Sequence, residues 1–311
     1  MEELVEKLQT YLTKKKNPYL NQVGKDLELE EYQIYGLLEI MKRNGYVYEV
    51  LDKRIVKMKP IKEQNEITIP SKQGQIKFVA ISDIHYASKW DNPKLVDYAY
   101  EVAEKEGCDF VTNSGDIFEG DFHNKRPDHI YQVKKLGIEQ LDYVVEKYPK
   151  SEIPTYYITG NHSATFEKTC GADIGKMLAD KRSDLTYLGH DIGDINVGGL
   201  KIRLRHGVGS GSYAKSYKLQ KYCETLPIND IPNIILQGHF HYSGYFKNRD
   251  IHCFNVPSLQ SYTPYAKSLG LPQELGFWYI ECNVDEKGNL VSIVPELYEF
   301  EEKNKTKKKV R

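Results

Sequence analysis

Five short polar motifs, each directly after a predicted strand, constrain the fold of this chain more than any other feature. They are Asp83-Ile84-His85, Gly115-Asp116, Gly160-Asn161-His162, His206-Gly207 and Gly238-His239-Phe240-His241. The first non-glycine residues of successive motifs are 33, 45, 45 and 33 positions apart. Each step is about the length of one strand–helix unit. Because the carboxyl ends of strands in an open α/β sheet face one crevice, we predict that all five motifs meet at one site.

Two of the motifs are too specific to be chance matches. In 311 residues with 23 glycines and 9 histidines, chance predicts roughly 0.5 Asp-x-His and 1.3 Gly-Asp matches, but only about 0.03 Gly-Asn-His and 0.02 Gly-His-x-His matches. Five of the nine histidines lie inside the motifs. The other four are interpreted as ordinary residues without a role in a site: His123, His129, His190 and His252.

From residue 75 onward, the hydrophobic pattern alternates between strands and helices. Strands are predicted over 75–82, 108–113, 154–159, 200–205 and 233–237. Helices are predicted over 94–105, 129–147, 172–181 and 213–226. Four further strands, 242–247, 251–256, 277–284 and 290–297, close the region. The alternation indicates βαβ units, and the strand-rich end indicates a second sheet.

The donor atoms of the motifs suit a pair of divalent metal ions. Carboxylates and imidazoles without a thiolate fit Mn, Fe, Zn or Ni. Two ions about 3.5 to 4 Å apart need a bridging carboxylate, a role that Asp116 can fill and Asn161 cannot. Water bridging two such ions loses a proton near neutral pH, and the resulting hydroxide is a nucleophile. His162 stays free to donate a proton or to bind a phosphoryl oxygen.

In motif order and spacing, the chain resembles the calcineurin-like metallophosphoesterase superfamily over roughly residues 75 to 260. Val256-Pro257-Ser258 is similar to the small-residue turn of that superfamily. The general pattern is similar to members that act as DNA-repair exonucleases. The resemblance implies an α/β fold in which a two-sheet β-sandwich, flanked by helices, carries a dinuclear site on one edge.

The resemblance also implies a role for each motif residue. One ion would be held by Asp83, His85, Asp116 and His241. Asp116 would also bridge to a second ion, which would be held by Asn161, His206 and His239. His162 would be the catalytic residue over the scissile phosphate. Manganese is the expected metal, with iron, zinc or nickel as alternatives. The chain departs from the family at Ser163, where an acidic residue often supports the histidine. Glu119 and Asp121 could contact the ligands from behind or be solvated loop carboxylates, and the solvated interpretation is favoured.

Residues 1–60 are predicted to form a separate domain. Their apolar periodicity indicates three short helices, Asn44-Gly45 is a helix stop signal, and 46–51 and 54–58 alternate like two strands. This pattern resembles the winged variant of the helix-turn-helix family. Lys42-Arg43 and the hairpin lysines and arginine, Lys53, Arg54, Lys57 and Lys59, would suit a phosphate backbone. Docking of a protein partner or of the catalytic domain is the alternative, and the acidic Glu28–Glu31 counts against deep base readout.

The remaining boundaries follow from composition and charge. Residues 61–74 are a polar, proline-containing linker, 75–300 the catalytic domain, and 301–311 a basic, frayed tail. The whole chain has 43 Lys and Arg against 44 Asp and Glu, yet residues 75–300 carry a net charge of −6. An acidic catalytic domain suits a phosphate substrate only if bound cations offset its carboxylates.

Composition also bears on the cellular compartment. The five cysteines are scattered, without Cys-x-x-Cys spacing, so neither a disulfide framework nor a structural zinc site is expected. No apolar run reaches the 18 residues of a membrane span, and the acidic N-terminus is unlike a signal peptide. We therefore predict a cytoplasmic protein without membrane contact.

The motifs define the reaction more closely than the substrate. The leading hypothesis is a phosphodiesterase that acts on DNA or RNA. The basic hairpin and the basic tail would contact the nucleic acid. Rings beside the motifs could stack on bases or belong to the core: Tyr86, Trp90, Phe122, His123, Tyr242, Tyr245, Phe246, Tyr262 and Tyr265. A phosphatase or phosphodiesterase for small molecules such as nucleotides is the alternative. An inactive scaffold is disfavoured, because all seven ligand positions hold ligating side chains.

Overall fold

The structure is a computed structural model that describes residues 2–43, 48–57, 66–69, 74–123, 125–301 and 307–310. The chain forms two compact units, residues 1–62 and residues 63–311. None of the helices in these described ranges is both long enough and apolar enough to cross a membrane.

The first unit contains three helices followed by a hairpin. Its elements are α1 (Glu2–Lys14), α2 (Leu20–Leu27), α3 (Glu31–Arg43), β1 (Tyr48–Leu51) and β2 (Arg54–Lys57). Apolar residues three or four apart on each helix face a common core, as the periodicity predicted. Leu8, Val23, Ile34, Met41 and Ile55 are at most 1% exposed there.

The hairpin turns at Asp52 and Lys53, which have φ of 49° and 61°. Two successive left-handed residues are typical of a tight two-residue hairpin. The hairpin is fixed to the α1–α2 connection, because the Leu20 amide donates to the Lys53 carbonyl and the Ile55 amide donates to the Pro18 carbonyl, both at 2.8 Å. The predicted stop at Asn44-Gly45, residues 46, 47 and 58 of the predicted strands, and Lys59 lie outside the described residues. The winged-helix interpretation stays a prediction.

The second unit contains two mixed β-sheets. The seven-stranded sheet has the order β15-β14-β13-β4-β5-β6-β7, and the six-stranded sheet has the order β11-β12-β10-β9-β8-β3. The strands, in chain order, are β3 (Glu66–Ile69), β4 (Gln75–Ile81), β5 (Phe110–Asn113), β6 (Thr155–Thr159), β7 (Leu185–His190), β8 (Ile192–Val197), β9 (Leu200–His206), β10 (Ile234–Gly238), β11 (Gly244–Asn248), β12 (Ile251–Asn255), β13 (Leu275–Val284), β14 (Leu290–Phe300) and β15 (Lys307–Val310). Strands β4 to β7 are parallel to one another, as are β9, β10 and β12.

Alternation along the strands places the two sheets face to face. On β4, Phe78 joins the core between the sheets, where it packs in one cluster with Ile202 and Leu236 of the other sheet. Its neighbour Val79 points to the opposite face and joins a second core beneath helices. This period of two is the normal result of strand geometry. The predicted α/β fold of two sheets flanked by helices is therefore confirmed.

The helices of this unit are α4 (Pro93–Glu106), α5 (Glu139–Lys147), α6 (Ala164–Cys170), α7 (Ile174–Lys181), α8 (Tyr217–Thr225) and α9 (Pro264–Ser268), with 3-10 turns at Pro127–Tyr131 and Ile228–Asp230. The single helix predicted over 129–147 is wrong. Residues between the 3-10 turn and α5 instead contact the loop after β4. The Lys134 amide donates to the Ala87 carbonyl, and Val133 forms an isolated antiparallel β-bridge with Ser88. Gly137, at φ 50°, then precedes α5. These contacts are non-local, so the hydrophobic period did not show them.

Two segments predicted to be irregular contain strands. Within the predicted linker 61–74, β3 pairs with β8, and its Ile67 and Ile69 pack against the core between the sheets. Within the predicted tail, β15 pairs with β14 and so satisfies backbone groups of a strand that would otherwise be an edge. The prediction of a frayed tail is therefore wrong over Lys307–Val310, while 302–306 and 311 lie outside the described residues.

Candidate metal centre

The five motifs converge on one edge of the sandwich. Three of them follow β4, β5 and β6 of the seven-stranded sheet, and two follow β9 and β10 of the six-stranded sheet. Because β4, β5 and β6 are parallel, and β9 and β10 are parallel, the motifs leave each sheet at the carboxyl ends of its strands. The convergence expected from the spacing is therefore present in the structure.

The first donor group contains Asp83, His85 and His241. The Nε2 atoms of the two imidazoles are 3.2 Å apart, and Asp83 Oδ1 lies 3.2 Å from His241 Nε2 and 3.9 Å from His85 Nε2. Ligands at about 2.1 Å from one divalent ion are separated by roughly 3.0 to 3.5 Å. The triangle therefore has the size of three ligands around one ion.

The second donor group contains Asp116, His206 and His239, whose donor atoms lie within 4.8 Å of one another. His206 Nε2 is 3.1 Å from Asp116 Oδ2 and 3.0 Å from the amide oxygen of Asn161. The other nitrogen of His206 donates to the Ser114 carbonyl at 2.9 Å. In the neutral imidazole, a lone pair on Nε2 then faces two acceptor oxygens, and such an arrangement needs a cation or a proton between them. The donor set fits a metal ion.

Asp116 also joins the two groups. Besides His206 and His239, it shares a third donor group with His85 and His162. The side chain is 1% exposed, so its charge is removed from water. A buried carboxylate with imidazoles on both sides is what a bridging ligand requires.

Backbone carbonyls set the orientation of the histidine rings. His239 donates from Nε2 to the Gly209 carbonyl at 2.7 Å, which leaves Nδ1 as its free donor atom for a metal. His162 donates from Nδ1 to the Glu119 carbonyl, so its Nε2 stays free, 3.9 Å from Asp116 Oδ2. Hydrogen bonds of this kind fix the tautomer of ligating histidines.

His162 lies beside the two groups without completing either triangle. Its ring contacts His85 edge to face at a centroid distance of 4.4 Å, and its backbone amide donates to Asp116 Oδ1 at 3.0 Å. The side chain is 20% exposed, unlike the buried Asp116. Ser163, the next residue, is buried with an unpaired hydroxyl, and the Glu119 carbonyl is the group that holds the His162 ring.

The backbone is left-handed at five of the seven predicted ligands. The φ angles lie between 50° and 84° at Asp83, His85, Asp116, His239 and His241. Such a conformation costs a non-glycine residue about 1 to 3 kcal/mol. Its concentration at one edge indicates that the fold holds these side chains in place against a local energetic penalty.

The charges of the buried groups are strongly coupled. Burial raises the pKa of Asp83, but His241 outweighs it and holds that pKa at about 2. Burial lowers the pKa of His206, but the Asp116 carboxylate outweighs it and raises that pKa to about 9. Burial and the neighbouring His162 lower the pKa of His85 to about 3, so this imidazole is neutral and able to ligate.

Glu119 is a site residue that the sequence interpretation missed. Far from being a solvated loop carboxylate, it is 8% exposed, and its Oε2 lies 3.5 Å from the otherwise unpartnered Nδ1 of His85. His129 contacts Oε1 at 3.3 Å, and Gln260 donates to Oε2 at 3.1 Å. Burial raises its pKa, but His129 and the nearby imidazoles bring the pKa below its ordinary value. The available signal was its place directly after the apolar Ile117-Phe118 pair.

Asp121, the other acid after Gly-Asp, is half-buried, and its carboxylate pairs with His123. His129, interpreted as an ordinary residue, is buried, and it contacts the site through Glu119 and through the Phe122 ring.

Replacing Glu119 with glutamine is expected to lower metal affinity or catalytic activity by about 10- to 100-fold, the usual effect of losing a charged partner behind a ligating histidine. Metal titration and kcat at saturating metal would measure it. Glu101→Gln, an exposed carboxylate on α4, is the matched control. Equal metal affinity and equal rates in both variants would show that Glu119 does not support His85.

A pair of sheets whose shared edge presents overlapping carboxylate and imidazole donor groups defines a metallohydrolase type of protein. The family model described as calcineurin-like phosphoesterase matches residues 76–259. This match covers more than half of the chain, which therefore belongs to the calcineurin-like phosphoesterase family, a family of hydrolases.

Solved structures share a distant likeness with the chain. An archaeal phosphodiesterase is 14% identical with a TM-score of 0.41, covering 71% of this chain and 99% of that one. Vps29 from Entamoeba histolytica, complexed with zinc, is 14% identical with a TM-score of 0.43, covering 76% and 98%. The E. coli phosphoesterase YfcE is 16% identical with a TM-score of 0.36, covering 70% and 98%. No curated protein matches the sequence.

Proposed function

We propose that this protein is a two-metal phosphodiesterase that cleaves nucleic acid. The observation that carries the two-metal part is the position of Asp116, which shares donor groups both with His85 and with His206 and His239. The donors are oxygen and nitrogen atoms without a thiolate, so we propose manganese, with iron, zinc or nickel as alternatives.

In this proposal the motif residues divide the work. Asp83, His85 and His241 hold one ion; Asn161, His206 and His239 hold the other; and Asp116 serves both. Divalent ions bound there would polarise the phosphoryl group and would lower the pKa of metal-bound water to near neutrality.

His162 acts on the leaving group. Its Nδ1 is fixed on the Glu119 carbonyl, so Nε2 is the atom that donates a proton to the departing alkoxide or binds a phosphoryl oxygen.

A basic groove in the first unit favours a polyanionic substrate. A groove of about 750 Å³ is lined by four basic side chains, Lys15, Lys16, Lys53 and Arg54, against one acidic side chain, Glu31. Arg54 lies over the Tyr19 ring at 3.9 Å and donates to its hydroxyl at 2.7 Å. We propose that this unit is a winged helix and that the groove contacts the phosphate backbone, with the basic tail as a second contact.

Charge reversal in this groove tests the role of the first unit. The double variant Lys53→Glu and Arg54→Glu should weaken oligonucleotide binding by the metal-free protein and reduce its salt dependence. Unchanged binding at every salt concentration would favour the alternative, docking of a protein partner.

Substrate panels test the proposed activity directly. Manganese-loaded protein is expected to cleave single- or double-stranded oligonucleotides, and Asn161→Ala should lose that activity together with bound metal. If the wild type hydrolyses bis(p-nitrophenyl) phosphate and leaves every oligonucleotide intact, the nuclease proposal fails and the small-molecule alternative replaces it. Metal content of the purified protein separates both from an inactive scaffold.

A further inference from the structure

An arginine next to the candidate metal centre is held between two aromatic rings. The guanidinium carbon of Arg126 lies 4.6 Å from the Phe122 ring centre and 5.0 Å from the Tyr265 ring centre. Phe122 in turn contacts the His162 ring at a centroid distance of 4.8 Å. These contacts place the guanidinium within about 9.4 Å of the His162 ring.

No carboxylate or carbonyl in the described part of the chain accepts a hydrogen bond from the Arg126 guanidinium. Two basic side chains near the motifs differ in being paired with carboxylates, Lys134 with Asp91 and Lys215 with Glu274. A cation–π contact positions a guanidinium without using its N–H donors, which form a planar fork suited to a phosphate. Arg126 is therefore both positioned and available.

The rings differ from the aromatic residues of the core. Tyr86 and Tyr242, which the sequence also placed near the motifs, are at most 2% exposed, whereas Tyr265 is 49% exposed. Tyr265 lies in α9, whose first turn is capped by the Thr263 hydroxyl. This helix follows the loop in which Gln260 contacts Glu119. The exposed ring is thus joined to the metal centre by a short stretch of chain.

We propose that Arg126, Phe122 and Tyr265 form a subsite for the nucleotide next to the scissile phosphodiester. Tyr265 stacks on its base, and Arg126 binds its phosphate, while Phe122 holds the guanidinium at a fixed place beside His162. Stacking tolerates every base, because each has a π-face, and the arginine reads only charge and shape. The subsite therefore favours a strand over a small diester without selecting a sequence. This inference rests on the proposed nuclease function and adds the residues that select its substrate class.

The test compares two substrates in the same protein. For manganese-loaded wild type and variants, kcat/KM is measured for a single-stranded oligonucleotide and for bis(p-nitrophenyl) phosphate, which has no flanking nucleotide. The ratio compared is kcat/KM for the oligonucleotide divided by kcat/KM for the small diester. Tyr265→Ala is expected to lower this ratio roughly 5- to 150-fold, as for the loss of one stacked base. Tyr265→Phe, which keeps the ring, should restore the ratio. Arg126→Gln should lower it too, and Lys125→Gln, an exposed charge one position away, should not.

Binding without catalysis gives a second readout. For metal-free protein and the same single strand, the slope of log Kd against log salt concentration should be shallower by about 0.7 in Arg126→Gln, the value for one phosphate contact. A change in folding alone would not alter this slope.

The outcomes separate the two proposals. If the wild type cleaves the oligonucleotide and neither Arg126→Gln nor Tyr265→Ala changes the substrate ratio, the subsite is wrong and the nuclease function stands. An equal loss on both substrates also overturns it, because the residues would then act on the metal centre. If the wild type cleaves only the small diester, the nuclease function fails, and the subsite falls with it.

Discussion

Replacing Asp116 with alanine is expected to lower the rate of the proposed phosphodiester hydrolysis by about a thousandfold and the metal content to below two ions per chain. Asp116 is the carboxylate that both donor groups share, so its removal takes negative charge from both ions at once. Charge stabilisation by a bound ion supplies several kcal/mol in the transition state, which corresponds to a loss of about a thousandfold in kcat. Metal analysis of purified protein and single-turnover hydrolysis would measure the two effects.

Two further substitutions make this result specific. Asp116→Asn keeps the size of the side chain and an oxygen that can accept the hydrogen bond of the His162 amide, and it removes only the charge. It should therefore lose activity while keeping its unfolding temperature. Asp121→Asn, which changes a carboxylate paired with His123, is the control. Two bound ions and a normal rate in Asp116→Ala would contradict the shared-ligand assignment.

The sequence was sufficient to predict which residues meet, because strand ends in parallel sheets converge on one edge. It could not predict the backbone conformation that orients their side chains. Asp83 and His241 have φ of 50° and 55°, and no residue type in the motifs requires that conformation. Nor could it predict Glu119, whose burial depends on Gln260 and His129 from other segments. Convergence follows from topology, whereas orientation follows from contacts between segments distant in sequence.

The same distinction explains the fold. Strands of the central sheets, such as β4 and β10, have apolar patterns set by burial on two faces, and their positions were predicted to within one residue. The sequence predicted no strand at β7 or β8, and it predicted irregular chain at two strands on the sheet edges, β3 and β15. β3 is a four-residue strand whose partner, β8, lies far along the chain. β15 pairs with β14, the strand that precedes it, although its own residues are mostly lysine. Local periodicity predicts an element only where its own residues determine its burial.

Replacing Gly160 with alanine is expected to remove the second ion as effectively as removing a ligand. A Cβ atom at this position would lie 2.5 Å from Asp116 Oδ1 and 2.6 Å from both Cδ2 and Nε2 of His206. Neither side chain can move aside cheaply, because Asp116 is buried and His206 is held by the Ser114 carbonyl. We expect a loss of about a thousandfold in kcat, as for a lost ligand, and about 1 to 3 kcal/mol of lost stability from overpacking.

The geometry of Gly160 makes this substitution easy to interpret. Gly115, the other crowded glycine beside His206, has a φ of 105°, so alanine there would add backbone strain to the contact. Gly160 does not have a positive φ, so the contact alone is tested. Gly211→Ala, at a position with no atom within 4 Å of the added Cβ, should keep two ions and the normal rate. If Gly160→Ala also keeps them, Asp116 and His206 are not confined as the structure has them, and the second donor group would have to be assembled differently.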